Sequence, residues 1–342
     1  MAQSGQRSRC RIVVDAMGGD FAPQNAVVGA IDALREDPSI ELLLVGRKQD
    51  ILDVLEKNHL EFDAGNIIHA DEVISMSDSP TMLKTKKDSS IVVGVNLVRD
   101  GRADAFVSAG NTGAVHAAST LFMGRLEGVS RPTIGTFMPS EGGVCTIFDA
   151  GANVDSKPRF LFEYAVMGSI FVREIYGIQN PSVGLLNVGE EDSKGPDVIK
   201  ETFGLLKNSQ LNFIGNIEGR DILKGRANVV VCDGFVGNII LKFGESMPKL
   251  LKAMLKEYAG KGILNKLKVA FAYSALKEAL KPMDYQLHGG VPLLGVKGIS
   301  IIGHGSSTPL AIKNMVFRAA EMYNKDLTNK IETSIRQYAS SK

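Results

Sequence analysis

The sequence predicts an α/β fold with a mostly parallel sheet, and three observations carry that expectation. Short apolar runs of strand length alternate with helix-period stretches nearly end to end, the order that builds a parallel sheet. The junctions after the apolar runs are repeatedly rich in glycine and polar residues, so one strand–turn–helix grammar recurs along the chain. The composition, 44% hydrophobic and 23% charged over 342 residues, suits a globular chain that buries a full core in two domains or one large one.

Arg11-Ile12-Val13-Val14-Asp15 reads as a buried first strand. It ends in Ala16 to Pro23, containing Gly18 and Gly19, and a helix follows to about Arg35. Asp15 and Asp20 stand where ligand residues sit in open α/β sheets, or else they cap the turn. Glu41 to Val45 is the next strand, Asp50 to Asn58 a helix and Asn66 to His69 a strand. Met76 to Ser90 is a polar loop with Lys84, Lys86 and Lys87; Asp88-Ser89-Ser90 signals the start of a helix to about Arg99. The lysines either meet an anion or form a solvated face.

Ala103 to Ser119 is the stretch around which the chain is organised. Ala105-Phe106-Val107 is a strand, Ser108 to Gly113 a small polar turn and Ala114 to Ala118 a helix start. The first amides of a helix lack partners and its dipole is positive there, so such a turn can hold an oxyanion. Ser108, Gly110, Asn111 and Thr112 are the candidate donors; the alternative is a tight connection with Thr112 as N-cap.

Val144 to Phe148 is a strand ending in a polar cluster that includes Asn153, and Phe160 to Tyr176 is a helix apolar on several sides. Ser182 to Val188 is a strand leading to Glu190, Glu191, Asp192 and Lys194; Lys194 either serves a ligand or pairs with those acids. Asn212 to Gly215 and Ala227 to Cys232 are strands, the second opening a helix at Asp233 to Asn238. Ile299 to Ile302 leads to Gly303-His304-Gly305-Ser306-Ser307 and a helix to about Asn324. The polar clusters all follow strands, and the expectation is that they lie on one sheet edge and converge on one cleft.

Residues 245–282 differ from the rest. Met247, Leu250, Leu251, Met254 and Leu255 share one helical face, Gly260-Lys261-Gly262 breaks the helix, and a second run carries Leu264, Leu267 and Phe271. Lysines, Lys252 and Lys256 among them, outnumber acids here, whereas the whole chain has net charge +1. A basic amphipathic hairpin suits an anionic membrane or an acidic protein; otherwise it packs on the body or on a second subunit.

Several function classes are set aside. A net charge of +1 gives no field for nucleic acid. The three cysteines, Cys10, Cys145 and Cys232, are far apart, which implies a reducing, cytoplasmic setting and offers no zinc spacing. There is no dinucleotide fingerprint, P-loop or Gly-x-Ser-x-Gly elbow. Of five histidines only His304 sits in a polar strand-end cluster; His116 is read as structural or exposed.

Together the motifs DAMGGDFAP (Asp15 to Pro23), KKDSS (Lys86 to Ser90), ADAFVSAGNTGA (Ala103 to Ala114), DAGANVD (Asp149 to Asp155), GLLNVGEEDSKG (Gly184 to Gly195), VVVCDGFVGN (Val229 to Asn238) and HGSS (His304 to Ser307) resemble the PlsX family of bacterial phosphate acyltransferases. The resemblance runs from about Ile12 to Met322. Lys84 stands where the family pattern has arginine, Pro196 where it has asparagine, and Gln286 to His288 also depart from it.

The resemblance implies a three-layer α/β/α sandwich like phosphotransacetylase and the isocitrate/isopropylmalate dehydrogenases. It implies a single unit over residues 1–342, with the hairpin of 245–282 protruding within it, and a homodimer held peripherally at the membrane. The implied reaction moves a long-chain acyl group from acyl carrier protein to inorganic phosphate. The acyl phosphate then feeds a membrane glycerol-3-phosphate acyltransferase, and no cofactor or metal is called for. Phosphate is itself the nucleophile, so the expected work is orientation and charge stabilisation. Ser108, Gly110, Asn111 and Thr112, with His304, Ser306 and Ser307 opposite, are expected to hold phosphate. Lys194 and Asn238 are expected at the thioester carbonyl, or Lys194 on phosphate instead, with water or His304 the proton source for the leaving thiolate. Gly18, Gly19 and Asn153 are expected among the phosphate- and substrate-binding residues, with Asp15 and Asp20 there orienting donors, and Lys252, Lys256, Leu264 and Phe271 are expected to meet carrier or membrane. The competing readings are a short-chain phosphotransacetylase, a dehydrogenase of related fold, and a membrane-surface scaffold without catalysis.

Overall fold

A computed structural model describes residues 9–340. The elements run β1 (Arg11–Asp15), α1 (Gln24–Glu36), β2 (Glu41–Gly46), α2 (Lys48–Lys57), β3 (Ile67–His69), α3 (Ser90–Arg99), β4 (Ala105–Ser108) and α4 (Thr112–Ala118). They continue with β5 (Thr133–Ser140), β6 (Gly143–Phe148), α5 (Pro158–Tyr176), β7 (Ser182–Leu186), α6 (Asp197–Lys207), β8 (Asn212–Ile217), α7 (Gly219–Lys224) and β9 (Val229–Val231). The chain closes with α8 (Gly234–Gly260), α9 (Ile263–Ala279), β10 (Val291–Leu294), β11 (Ile299–Ile302), α10 (Pro309–Asn324) and α11 (Leu327–Ser340).

The eleven strands of the described residues form one sheet in the order β3-β2-β1-β4-β11-β10-β5-β6-β9-β7-β8. Helices cover both faces. Along β1, Ile12 and Val14 enter one core with α1, α5 and α10, while Val13 enters another with α3 and α4. That alternation is the period-2 pleat of a strand buried on both sides, and it makes the fold a three-layer α/β/α sandwich.

The strand directions correct one expectation. From β3 to β11 the strands are parallel, but β10 is antiparallel to both β11 and β5, and β5 is antiparallel to β6. Three reversals leave β6, β9, β7 and β8 parallel to one another and opposed to the first half. The carboxyl ends of β1, β4 and β11 therefore lie on one edge, and those of β6, β7 and β9 on the other. The polar clusters divide into two groups instead of gathering on one edge. Helix α4 links the groups, because it starts at the β4 turn and its Ala114 and Ala118 share a core with Ala150 beyond β6.

Helices α8 and α9 form the hairpin expected from the sequence. No described residue of α9 is buried, and Ile263, Leu264, Leu267 and Phe271 are all exposed, Phe271 to 93%. The start of α8 is seated on the body, with Gly234 and Gly237 buried, whereas α9 leaves its apolar side chains uncovered by its own chain. No described helix is long and apolar enough to cross a membrane.

Candidate active site

The first group is built from three turns. Ser108 donates its hydroxyl proton to Asp15 Oδ2 at 2.7 Å and accepts the Gly110 amide at 3.0 Å. Gly18 lies so close that a Cβ there would come within 2.7 Å of both Asp15 Oδ2 and Gly110 N. The β11 turn joins through Gly303 N–H to Ser108 O (2.8 Å) and Asp20 N–H to Gly305 O (2.7 Å). Gly19, at φ +104, takes a conformation that L side chains avoid, which lets its turn reach Gly305. Asp15 is fully buried, and burial pushes its carboxyl up, against the hydrogen bonds from Ser108 and Ser90.

Several of the candidate phosphate donors are engaged within the protein. Asn111, not Thr112, is the N-cap of α4, accepting Ala114 N–H at 3.0 Å. Its Nδ2 donates to the carbonyls of Ser75, Met76 and Asp78, which fastens the polar loop to the helix. Lys86 clamps the same loop through Val73 O and Asp78, both at 2.7 Å. What faces outward is Thr112, which is exposed, and the turn carrying His304 and Ser306. The Ser306 amide donates to His304 Nδ1 at 3.1 Å, and the Ser306 hydroxyl lies 2.8 Å from the same nitrogen. Ser307 is buried and donates its hydroxyl to His304 O at 2.6 Å.

The second group lies past β6. Asp149 accepts five N–H donors: Ile134, Gly151, Ala152, Asn153 and the Asn153 side chain. Burial pushes its carboxyl up while those donors oppose the shift. Asn153 also donates to Pro132 O at 2.8 Å, so it shapes this loop and does not project from it. Asn238, in the first turns of α8, is exposed, and a Cβ on Gly151 would touch it at 3.3 Å. Lys194 sits on the same edge after β7. It is exposed, and it pairs with none of its neighbouring acids among the described residues: Glu190 binds Arg226 and Asp192 binds Lys207. The described residues contain no cluster of three metal-ligating side chains.

A family model described as "Fatty acid synthesis protein" matches residues 10–330. The chain is 48% identical over 331 residues to the phosphate acyltransferase of Chlorobaculum parvum, covering 94% of this chain and 97% of that one. It is 50% identical over 310 residues to that of Heliobacterium modesticaldum, covering 89% and 91%. The chain belongs to this family. It is an acyltransferase.

Among solved structures, a phosphotransacetylase from Streptococcus pyogenes superposes with TM-score 0.58 at 19% identity, covering 92% of this chain and 94% of that one. A 4-hydroxythreonine-4-phosphate dehydrogenase from Klebsiella pneumoniae gives 0.51 at 14%, covering 95% and 100%. At these identities the likeness is one of fold. Within the acyltransferase, His116 is the histidine that the sequence reading set aside as structural or exposed. His116 is half-buried, and burial with the nearby Arg131 charge pushes its ring pKa down.

Proposed function

We propose that the protein transfers a long-chain acyl group from the thioester of an acyl carrier protein to inorganic phosphate, giving an acyl phosphate for phospholipid synthesis. A phosphate oxygen attacks the thioester carbonyl carbon, the tetrahedral intermediate collapses, the C–S bond breaks and the thiolate leaves with a proton. The observation that carries the reading is the His304 turn beside the first turn of α4, joined through Gly303 to Ser108. There the exposed Thr112 and the turn of His304 and Ser306 stand beside a helix start. Thr112, His304 and Ser306 hold phosphate; Asp15, Gly18, Gly19, Asp20, Ser108, Gly110, Asn111 and Ser307 are the frame that fixes them. Asn238, beside Gly151 across α4, and Lys194 on the same edge are assigned to the acyl donor. Holding both substrates in attack geometry supplies several kcal/mol, roughly the scale of well-oriented intramolecular reactions.

The hairpin gives this reading its setting. Its exposed apolar face and its lysines suit a membrane surface and an acidic carrier, which would keep an acyl phosphate near a membrane glycerol-3-phosphate acyltransferase. We assign the protein to the cytoplasmic side of that surface, as a homodimer.

The test is turnover of purified protein with palmitoyl–acyl carrier protein and phosphate, following free thiol. Phosphate-dependent release with hydroxamate-trappable product is expected, and His304→Ala should lower kcat by about tenfold to a thousandfold. Turnover with acetyl-CoA alone would replace the reading with a short-chain phosphotransacetylase. Lys194→Ala with full activity would remove Lys194 from the donor side.

A further inference from the structure

The polar loop between β3 and α3 carries three lysines, and the reading above uses none of them. Lys84 and Lys87 are exposed and form no ion pair among the described residues. Lys86 behaves differently. It is part-buried, and its ammonium donates to Val73 O and to Asp78 Oδ2, both at 2.7 Å. It turns back on its own loop.

That loop spans the two turns assigned to phosphate. On one side Asn111, the cap of α4, donates to the carbonyls of Asp78 at 2.8 Å, Ser75 at 3.1 Å and Met76 at 3.3 Å. Pro80 packs on the same first turn: a Cβ on Gly113 would lie 2.7 Å from its Cγ. On the other side Met76 reaches the β11 turn. A Cβ on Gly305 would meet Met76 Cε and Asp20 Oδ1, each at 3.0 Å. Thr112 stands between Asn111 and Gly113, and His304 and Ser306 flank Gly305. One loop therefore touches both turns that carry the phosphate groups.

Asp78 gives the loop its shape. Its Oδ2 accepts the Ser75 amide at 2.9 Å as well as the Lys86 ammonium, and its own amide donates to Ser75 O at 3.1 Å. Residues 75–78 thus close a turn whose carbonyls converge on Asn111, and Lys86 ties that turn to Val73 at its root. Lys86 and the Ser75 amide hold the Asp78 carboxyl below its ordinary 3.8, so the pair stays charged through the neutral range. Groups that share one substrate must be held closely: a misplacement of about 1 Å costs up to roughly a hundredfold.

We propose that Lys86 is a positioning residue for phosphate: by clamping the turn of residues 75–78 through Asp78 and Val73, it sets the spacing between Thr112 and the turn of His304 and Ser306. The proposal rests on the acyl-transfer reading, which places phosphate between those side chains, and deepens it by naming what holds them apart.

The experiment uses the full chain with Lys86→Met, Asp78→Ala and the double variant. Inorganic phosphate binding is measured by calorimetry without acyl donor, and KM for phosphate and for palmitoyl–acyl carrier protein by thiol release. A part-exposed ion pair adds little to global stability, so Lys86→Met melts within about 4 °C of wild type. It is expected to bind phosphate about tenfold more weakly, with KM for the acyl donor within about twofold of wild type. Asp78→Ala separates positioning from direct contact. A clamp fails when either member is lost, so Asp78→Ala also weakens phosphate binding, and the double variant is no worse than the poorer single one. If Lys86 itself touched phosphate, freeing it from Asp78 would leave binding level or tighten it, and that result overturns the proposal. So does a Lys86→Met that binds phosphate within about twofold of wild type, or one that loses phosphate and acyl donor equally, as general loosening would. A wild type that binds phosphate but makes no acyl phosphate sinks the proposed function and leaves the binding comparison to decide Lys86. A wild type that binds no phosphate overturns both.

Discussion

Asp15 is a carboxyl group sealed from water at 1% exposure, held by Ser108 and the Met17 amide. Burial raises its pKa above the ordinary 3.8, so the folded protein holds the proton more tightly than the unfolded chain. The stabilising contribution is therefore full below 3.8 and is lost as pH rises through the folded value. Asp15→Asn cannot ionise. Thermal melts from about pH 4 to about pH 8 should show the wild type losing stability with rising pH more steeply than the variant. The opposite ordering would mean that the Ser108 and Ser90 hydrogen bonds outweigh burial. Asn111 marks the limit of sequence reading at this scale. Its position at a helix start was legible, but its three carbonyl partners lie 33 to 36 residues away, and nothing local announces them.

At the scale of elements, most strands and helices were legible because each apolar run stands directly before a glycine turn and a helical period. The elements missed were β5, β10, α6, α7 and α11. Two of these, β5 and β10, are the antiparallel strands that reverse the second half of the sheet. A strand–turn–helix grammar detects parallel units alone, so it counted the right turns and placed them on the wrong edge. Glycines test how these elements seat. A Cβ on Gly237 would lie 1.8 Å from the Asp149 carbonyl oxygen, so Gly237→Ala must push α8 away and carry Asn238 with it. A loss of roughly 1–3 kcal/mol or more is expected, with acyl transfer falling alongside. Gly204, inside α6, meets nothing within 4 Å, so Gly204→Ala should gain up to about 1 kcal/mol and leave turnover unchanged. Denaturant unfolding of the two variants checks both signs. A neutral Gly237→Ala would show that α8 sits off the Asp149 carbonyl.

The whole molecule joins a packed sandwich to a basic hairpin whose second helix buries none of its described residues. Phe243, Met254, Ile263, Leu264, Leu267 and Phe271 are 59–93% exposed along it, a concentration of large apolar side chains in water that marks an interaction surface. The exposed Lys252 and Lys256 add attraction for anionic headgroups that salt screens within about 8–10 Å. Each large side chain buried in lipid stabilises the bound state by roughly 1.5–3 kcal/mol. Replacing both Leu264 and Phe271 by Glu should therefore cut co-sedimentation with anionic vesicles by more than about tenfold, while turnover of soluble acyl donor persists. Lys252→Glu with Lys256→Glu should weaken binding most at low salt and little at high salt, since it alters only the screened component. If the apolar variant still sediments with vesicles but changes from dimer to monomer in solution, the exposed face is covered by a second copy of the chain, and the membrane contact must be sought elsewhere on the hairpin.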